Sequence, residues 1–238
     1  RREEELKRII REIERILEEL RRRSREIEEK LKKVLEEHER VSRRIKERVE
    51  DLKRKVRDKE KLVRRLAELL KEASDVNHKL IRDIARLLKE ASEIIKRAVK
   101  RLSDLLEEVV RVLKDGNSDE RLVDTARRLV EEIVRRLEKV VEEHEEIVER
   151  VVRRLEESNR KHRRLVKEII DRLEDLVRRN VDEKDIERIV EEALKLHEDV
   201  HDENRRILEE AIRTHREVIK RLEEIVKEAI KLIEDVTR

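Results

Sequence analysis

The sequence predicts an all-α protein, a single-chain antiparallel four-helix bundle with up-down-up-down topology. Leu, Ile, Val and Ala recur at steps of three and four residues along nearly the whole chain, which is the spacing of one face of an α-helix. One Gly and no Pro occur among 238 residues, so few positions can break a helix. The apolar pattern returns about every eighteen residues, or five helical turns, which predicts long, nearly straight helices of about 55 residues each.

The composition excludes several classes of function. Charged residues make up 54% of the chain, and Phe, Tyr, Trp, Met and Cys are absent, a balance that indicates disorder unless a helical pattern overrides it. Basic and acidic residues number 66 and 63 and alternate along the chain, so the net charge of +3 gives no field for a nucleic acid. Apolar runs never exceed two residues, which predicts no membrane segment and no signal peptide. We expect a soluble protein with no natural localisation, expressed in the cytoplasm of a recombinant host.

The first helix is predicted over residues 2–57, where the apolar stripe begins at Leu6 and keeps its phase until Val56. The phase changes at residues 57–59, and Asp58 can cap a new helix there. The second helix, predicted over 59–114, repeats AELLKEASDVNHKLIRDI as ARLLKEASEIIKRAVKRL.

The clearest break lies at residues 114–118. Gly116 is predicted to adopt the left-handed conformation that ends a helix, and Ser118 to cap a third helix over 118–179. Asp182 is predicted to cap the fourth helix, over 182–237. Such short connections force consecutive helices to run antiparallel.

A longer repeat relates the two halves of the chain. Apolar positions of the first helix recur in the third, as Ile16 and Ile133 illustrate, and Ala73 of the second helix recurs as Ala193 of the fourth. We therefore predict one elongated domain over 1–238, built from two pseudo-symmetric hairpins, 1–115 and 117–238.

Ser, Asn, Thr and His interrupt the apolar seam, and antiparallel helices would bring them to two levels of the bundle. The first predicted buried network contains His38, Ser42, Ser74, Asn77, Ser158, His162, His197, His201 and Asn204. The second contains Ser24, Ser92, His144, Thr214 and His215. Because neutral imidazole both donates and accepts, such networks can be satisfied from four helices and would select one helix register. A surface position is an open alternative for individual members, above all His78, Ser103 and Asn159.

The histidines also allow a pH switch. Burial disfavours the imidazolium, so the folded-state pKa of a buried histidine is expected below about 6.5. The stability of the fold would then be complete above about pH 6.5 and would be lost as the pH falls toward the folded pKa.

One motif resembles a zinc-protease signature. His197-Glu198-Asp199-Val200-His201 matches H-E-x-x-H, in which two histidines one turn apart bind zinc. A protease also needs a third ligand and an open cleft, and Asn204 and Ile207 supply no ligand, although His162 could complete an adventitious zinc site. We expect no enzyme, no catalytic residue, no cofactor and no dedicated metal site.

Taken together, these features resemble de novo designed, parametrically generated helical bundles with buried hydrogen-bond networks. The resemblance covers the whole chain and rests on the eighteen-residue repeat, the Glu/Lys/Arg surface, the short loops RDK, DGNS and NVD, and the Ser, Asn and His seam positions. It implies a structural scaffold without a natural biochemical function, whose networks specify helix pairing and register. Such a scaffold requires no partner, and we expect a monomer.

Two alternatives stay open. The first is a pH-responsive bundle that opens or changes its assembly when histidines are protonated. The second is a self-associating or heteromeric module that uses an apolar helix face. The widest such face belongs to the second helix and contains Leu69, Leu70, Leu80, Ile81, Leu87 and Leu88.

Overall fold

The computed structural model describes residues 1–180 and 182–237. They form four α-helices: α1 (Arg2–Lys55), α2 (Lys59–Asp115), α3 (Glu120–Arg178) and α4 (Glu183–Thr237). These described residues contain no β-strand. The predicted four-helix bundle is confirmed, and the helix ends lie within two residues of the predicted positions.

Contacts between helices show that chain neighbours are also neighbours in space and run antiparallel. Ion pairs join α1 to α2, α1 to α4 and α3 to α4, and in each case a later residue of one helix meets an earlier residue of the other. These pairs are Arg8–Glu108 and Glu19–Arg101, Arg21–Glu223 and Glu28–Arg216, and Arg136–Glu228 and Glu143–Arg221. Helices α2 and α3 meet where Ala67 packs on Val166 and Ile170, and again where Asn77 bonds Asn159.

The chain divides into two compact units, each with segments of all four helices. Unit 1 comprises Arg1–Glu29, Leu87–Glu149 and Ala211–Arg238, and unit 2 comprises Lys30–Arg86 and Arg150–Glu210. The predicted hairpins, 1–115 and 117–238, do not coincide with these units.

Each unit has an aliphatic core drawn from the predicted seam. Leu6, Ile9 and Leu106 of unit 1 are at most 1% exposed, and Leu173 and Ile186 of unit 2 are equally enclosed. Burial of such a side chain stabilises the fold by about 1.5–3 kcal/mol, so the seam supplies the main driving force for folding.

The turn between α2 and α3 differs from the prediction. Asn117, and not Gly116, has the left-handed backbone, with φ of 54°. The Ser118 amide donates to the Leu113 carbonyl and the Asn117 amide to the Lys114 carbonyl, which is the Schellman pattern with asparagine in the left-handed position. The prediction for Gly116 was wrong because α2 continues one residue further than expected.

The cap of α3 also differs from the prediction. Asp119 accepts a hydrogen bond from the Arg121 amide, whereas the Ser118 hydroxyl accepts one from Arg2 of α1. Asp119 therefore caps α3 in place of Ser118, since a carboxylate at the start of a helix satisfies a free amide and complements the helix dipole.

Of the other two turns, the one at Asp58 has the predicted cap, whereas the side-chain cap predicted for Asp182 stays a prediction. The Asp58 carboxylate accepts from the Glu60 amide and caps α2. Asn180, with φ of 51°, ends α3, and the Asp182 carbonyl accepts from the Asp185 amide at the start of α4. Val181, also part of the predicted loop, lies outside the described residues, as does Arg238.

Within the described residues, none of the helices carries an apolar stretch long enough to cross a bilayer.

Candidate functional site: two buried polar clusters

The smaller cluster, defined as Ser24, Ser92, His144 and His215, lies in unit 1 and takes one side chain from each helix. Ser24 Oγ lies 2.6 Å from His215 Nε2, His215 Nδ1 lies 2.8 Å from His144 Nε2, and His144 Nδ1 lies 2.8 Å from Ser92 Oγ. The cluster is thus one unbroken chain of hydrogen bonds across α1, α4, α3 and α2.

This chain allows two proton arrangements when both rings are neutral. If Ser92 donates to His144, then His144 Nε2–H donates to His215 and His215 Nε2–H donates to Ser24. In the reverse arrangement, both histidines carry their proton on Nδ1 and every bond changes direction. Both rings must therefore hold the same tautomer, because each neutral imidazole has one donor and one acceptor.

Charged groups flank His215. Glu28 is only 9% exposed, and its carboxylate accepts from Arg216 Nε at 3.1 Å and Nη2 at 3.0 Å. Thr214, the remaining predicted member, is half-buried and donates to the Ala211 carbonyl of its own helix.

Burial lowers the pKa values of both histidines. Loss of hydration, and secondarily repulsion from His215, lowers the pKa of His144 to about 3. Burial also lowers the pKa of His215, where the Glu28 carboxylate opposes the shift and the Arg216 guanidinium adds to it. Both rings are neutral at pH 7.

The larger predicted network in unit 2 consists of two parts. The first, called the amide chain, runs from Ser158 through Asn204, Asn77 and Asn159 to His78. Ser158 Oγ donates to Asn204 Oδ1 at 3.3 Å, and Asn204 Nδ2 donates to Asn77 Oδ1 at 2.8 Å. Asn77 Nδ2 donates to Asn159 Oδ1 at 3.1 Å, and Asn159 Nδ2 to His78 Nδ1 at 3.0 Å. All four bonds point the same way, an arrangement in which each bond polarises the next.

The surface alternative for Asn159 is wrong, because this side chain is 6% exposed and joins the amide chain. His78 is half-buried and ends that chain. Ser103 is half-buried, and its hydroxyl is enclosed with no partner among the described residues.

The second part, called the histidine group, contains His38 of α1, His162 of α3, and His197 and His201 of α4. The rings of His38 and His201 stack with centroids 4.8 Å apart, and their Nδ1 atoms lie 2.8 Å apart. The ring centroid of His197 lies 6.2 Å from that of His38 and 5.9 Å from that of His162.

Glu39 and Arg205 border this group. His201 Nε2 lies 3.4 Å from Glu39 Oε1, and Arg205 also donates to that carboxylate oxygen. If His201 Nε2–H donates to Glu39, His201 Nδ1 is an acceptor and His38 must donate to it from Nδ1. His38 Nε2 is then an unprotonated acceptor. In the other tautomer, Arg205 Nη2, which lies 3.3 Å from His201 Nε2, donates to that nitrogen, His201 Nδ1–H donates to His38 Nδ1, and His38 Nε2 carries a proton.

Several polar atoms around the group are enclosed without a hydrogen-bond partner among the described residues. They are His38 Nε2, His162 Nδ1, both ring nitrogens of His197, and Ser42 Oγ. An unpaired buried polar group costs about 1–3 kcal/mol, so this part of unit 2 is destabilising relative to the hydrogen-bonded smaller cluster. Ser74, the last predicted member, is 8% exposed.

His38, His162 and His197 have lowered pKa values, as the two histidines of the smaller cluster do. Burial, followed by repulsion from His201, His197 and His162, lowers the pKa of His38 to about 3. Burial and then His197 lower the pKa of His162 to about 4. The pKa of His197 is lowered by burial and His201, with Glu198 opposing.

Two surface clefts reach the histidine group. One, of about 320 Å³, is lined by Ser42, His197 and His201 together with charged residues of α1 and α4. The other, of about 120 Å³, lies between α1 and α2, where His38 lines it beside Val34 and Leu80.

The metal-binding and catalytic side chains singled out in the sequence can now be placed. Among residues 1–180 and 182–237, no three His, Asp or Glu side chains meet in a group that could hold a metal ion, so His162 does not complete a zinc site with His197 and His201. Ser42 shares a cleft with His201 and Glu39, but its hydroxyl has no partner in the described part of the chain and is not activated by a base.

Comparison with known proteins gives no relative. No protein-family model, curated protein or solved structure matches this chain. The two clusters must therefore be interpreted from their own geometry.

Sequence reasoning missed the charged neighbours of both clusters, Glu28 and Arg216 in unit 1 and Glu39 and Arg205 in unit 2. The sequence places each of these residues within about one helical turn of a seam residue. Glu28 follows Ser24 and Glu39 follows His38 in α1, and Arg205 follows His201 and Arg216 follows His215 in α4. The same proximity to charged residues holds for most seam residues in a chain that is 54% charged, so it does not single out these pairs.

Proposed function

We propose that this chain is a designed structural scaffold whose buried polar clusters specify helix pairing and register. The observation that carries the proposal is the smaller cluster, where three hydrogen bonds link one side chain from each of the four helices. A shift of any helix by one turn would leave buried Ser and His groups unpaired, at about 1–3 kcal/mol each. An aliphatic seam alone imposes no such penalty.

The test compares the parent with an apolar variant that carries Ser24→Ala, Ser92→Ala, His144→Leu and His215→Leu. Cysteines are introduced in pairs for a short thiol-reactive cross-linker, since the chain has none of its own. The pair Arg21→Cys with Glu223→Cys reports the observed register, because these side chains meet at 2.7 Å. The pair Arg21→Cys with Arg216→Cys reports a register shifted by two turns.

We expect the parent to cross-link only in the observed register and the apolar variant to cross-link in both. Equal cross-linking patterns in the two backgrounds would show that the aliphatic seam alone sets the register. Cross-linking of each cysteine pair in the parent background gives the reference yield for the same pair in the apolar variant.

We infer a second candidate function, an acid response, from the unpaired ring nitrogens of the histidine group. A buried imidazole without an acceptor cannot take up a proton in place without a further hydration cost. Protonation therefore favours a state in which these rings reach water. Helical circular dichroism and light scattering between pH 7.5 and 3.5 test this function, with loss of helix or a change of mass in acid as the expected result. Identical signals across the range would exclude it.

A further inference from the structure

We propose that acid opens unit 2 before unit 1, because the smaller cluster can hold one proton with every hydrogen bond intact, whereas a proton on His162 or His197 creates a buried N–H with no acceptor among the described residues. The inference rests on the acid response proposed above and assigns its first step to His38, His162 and His197. It treats the smaller cluster as a proton acceptor that stays folded.

The smaller cluster can bind one added proton without losing any of its three hydrogen bonds. A charged His215 donates from Nδ1 to His144 Nε2 and from Nε2 to Ser24, while His144 donates from Nδ1 to Ser92. A charged His144 donates to Ser92 and to His215, and His215 donates to Ser24. All three bonds survive in both cases, because an imidazolium is a donor at both nitrogens. A second proton would set two N–H groups against each other across 2.8 Å, so the pair holds one.

The charges that face this pair favour uptake of a single proton. Glu28 of α1 attracts a proton to His215, while Arg216 of α4 opposes it and is itself bonded to Glu28. From α2, the facing group is the uncharged Ser92, and His144 of α3 is the other half of the pair.

His162 and His197 have no equivalent arrangement. A proton added to His162 Nδ1 or to His197 creates a buried N–H donor with no acceptor among the described residues. Glu39, which accepts from Arg205, lies 3.4 Å from His201 Nε2 and can accept from a charged His201, whereas the enclosed nitrogens of His162 and His197 have no such partner in the described part of the chain. The other charged groups that line the two clefts lie on α1, α2 and α4: Glu37, Arg43, Lys46, Lys79, Asp83, Glu198 and Asp202.

Repulsion within the group adds to this difference. A proton on His201, His197 or His162 disfavours a proton on His38, so successive protons require the helices of unit 2 to separate. The clefts beside Ser42 and beside His38 give water a short route to the rings once they move. In unit 1 a surface cleft of about 530 Å³ reaches Ser24, but neither histidine lines it.

The size of the response follows from the number of histidines that are neutral when folded and charged when open. Each such histidine changes the opening equilibrium constant about tenfold per pH unit. Between pH 6 and 5 the constant should rise at least about a hundredfold for unit 2, through His38 and His162 with a further contribution from His197, and about tenfold for unit 1 once the folded pair holds one of its two protons.

Hydrogen exchange followed by mass spectrometry on the intact chain tests the order of opening. Exchange is measured at pH values from 7.5 to 3.5, and each peptide is normalised to its intrinsic rate at that pH. Peptides from Lys30–Arg86 and Arg150–Glu210 should lose protection at a higher pH than peptides from unit 1. Simultaneous loss, or earlier loss in unit 1, would overturn the proposed order while leaving an acid response in place. Full protection everywhere would overturn the acid response and the order together.

Two matched double variants assign the effect to the clusters. His162→Leu with His197→Leu should lower the opening pH of unit 2 and leave that of unit 1 unchanged. His144→Leu with His215→Leu should leave the opening pH of unit 2 unchanged. An equal shift of unit 2 in both variants would show that the histidine group is not responsible.

Nitrogen-15 NMR of the imidazole rings in the parent gives an independent measure. Below the pH at which unit 2 opens, we expect His144 and His215 together to bind one proton for as long as unit 1 stays protected. Two protons bound to His144 and His215 while unit 1 is still protected would contradict the limit of one proton for this pair.

Discussion

His197 and His215 show how differently two enclosed imidazole rings can contribute to stability. Both ring nitrogens of His197 lack a partner among the described residues, whereas both of His215 are hydrogen-bonded. A buried polar group costs free energy only when its hydrogen bonds to water are not replaced. The same residue type is therefore destabilising in one cluster and structural in the other.

Replacement of each histidine by leucine should have opposite effects. His197→Leu removes two unpaired polar atoms and should raise the free energy of unfolding by about 1–3 kcal/mol. His215→Leu leaves Ser24 and His144 without their partner and should lower it by a similar amount. Guanidinium unfolding at pH 7.5 measures both. A loss of stability in both variants would show that the His197 nitrogens are satisfied in solution.

The amide chain gives a second contrast between paired and unpaired groups. Asn204 is fully buried, accepts from Ser158 and donates to Asn77, so Asn204→Ala should cost about 1–3 kcal/mol or more through the partners it leaves. Ser42→Ala removes a hydroxyl that has no partner among the described residues and should leave the stability equal or higher. The same denaturant titration measures both variants, and a larger cost for Ser42→Ala would contradict the assignment.

At the residue scale, the sequence does not predict which side chains at the edge of the seam face inward, nor how an imidazole ring is rotated. Antiparallel pairing gives the level of each polar residue, which placed His144 with His215 and Asn77 with Asn204. It does not say which side chains turn inward at the edge of the seam, so Asn159 was left open as a surface residue. It also cannot say whether a ring nitrogen meets an acceptor, because a rotation of the His197 ring changes its partners without changing its position.

Among elements, the turns show how local chemistry sets the helix ends. Gly116 was predicted to be the left-handed residue because it is the one glycine of the chain, but Asn117 has that conformation. Asparagine tolerates it better than other non-glycine residues, because its short polar side chain bonds locally. A Cβ at Gly116 would be tightly packed, at 3.0 Å from Arg2 Cδ and 3.2 Å from the Val112 carbonyl oxygen.

Substitutions at Asn117 should test the energetic cost of its left-handed conformation. Asn117→Gly relieves the left-handed strain and should raise the melting temperature, whereas Asn117→Ala should lower stability by about 1 kcal/mol. Asn180, with φ of 51°, ends α3 in the same way, so Asn180→Ala should match Asn117→Ala. Thermal unfolding by circular dichroism measures the three variants. A higher melting temperature for Asn117→Ala than for Asn117→Gly would exclude the left-handed assignment.

For the whole molecule, the distribution of apolar surface bears on self-association. The wide apolar face of α2 lies inside the bundle, with Leu69, Leu80 and Leu87 at most 5% exposed. Among the described residues, Leu129, at 38%, is the exposed large apolar side chain. A single side chain of this kind does not make an association surface.

We therefore expect one species of 29.1 kDa by size-exclusion chromatography with light scattering at pH 7.5. The mass should stay constant over a tenfold range of protein concentration, because residues 1–180 and 182–237 expose no large apolar patch that could stabilise a dimer. A Leu129→Lys variant should behave identically. A dimer mass that returns to the monomer value in this variant would identify Leu129 as an association site.

The pH dependence of stability combines both clusters in one measurement. His38, His144, His162, His197 and His215 all have folded pKa values below 6.5, with His38 and His144 at about 3 and His162 at about 4. Their unfolded forms bind protons first as the pH falls, so stability is complete above about pH 6.5 and is lost toward the folded pKa values.

A histidine that stays neutral in the folded protein and is charged in the unfolded one should remove about 1.4 kcal/mol of unfolding free energy per pH unit below about pH 6.5. The Glu39 carboxylate contributes little above pH 5, since its pKa lies below its usual 4.5: burial alone would raise it, but bonding to His201 and Arg205 outweighs that effect. Guanidinium midpoints between pH 7.5 and 5 should therefore be flat at first and then fall, and 1 M salt, which screens surface charge, should not remove the fall. The variant His144→Leu with His215→Leu should reduce the slope by at most about two-fifths, because it removes two of the five titrating rings and the folded pair can already hold one of their two protons. A midpoint that does not change between pH 7.5 and 5 would mean that these rings are already hydrated in the folded protein.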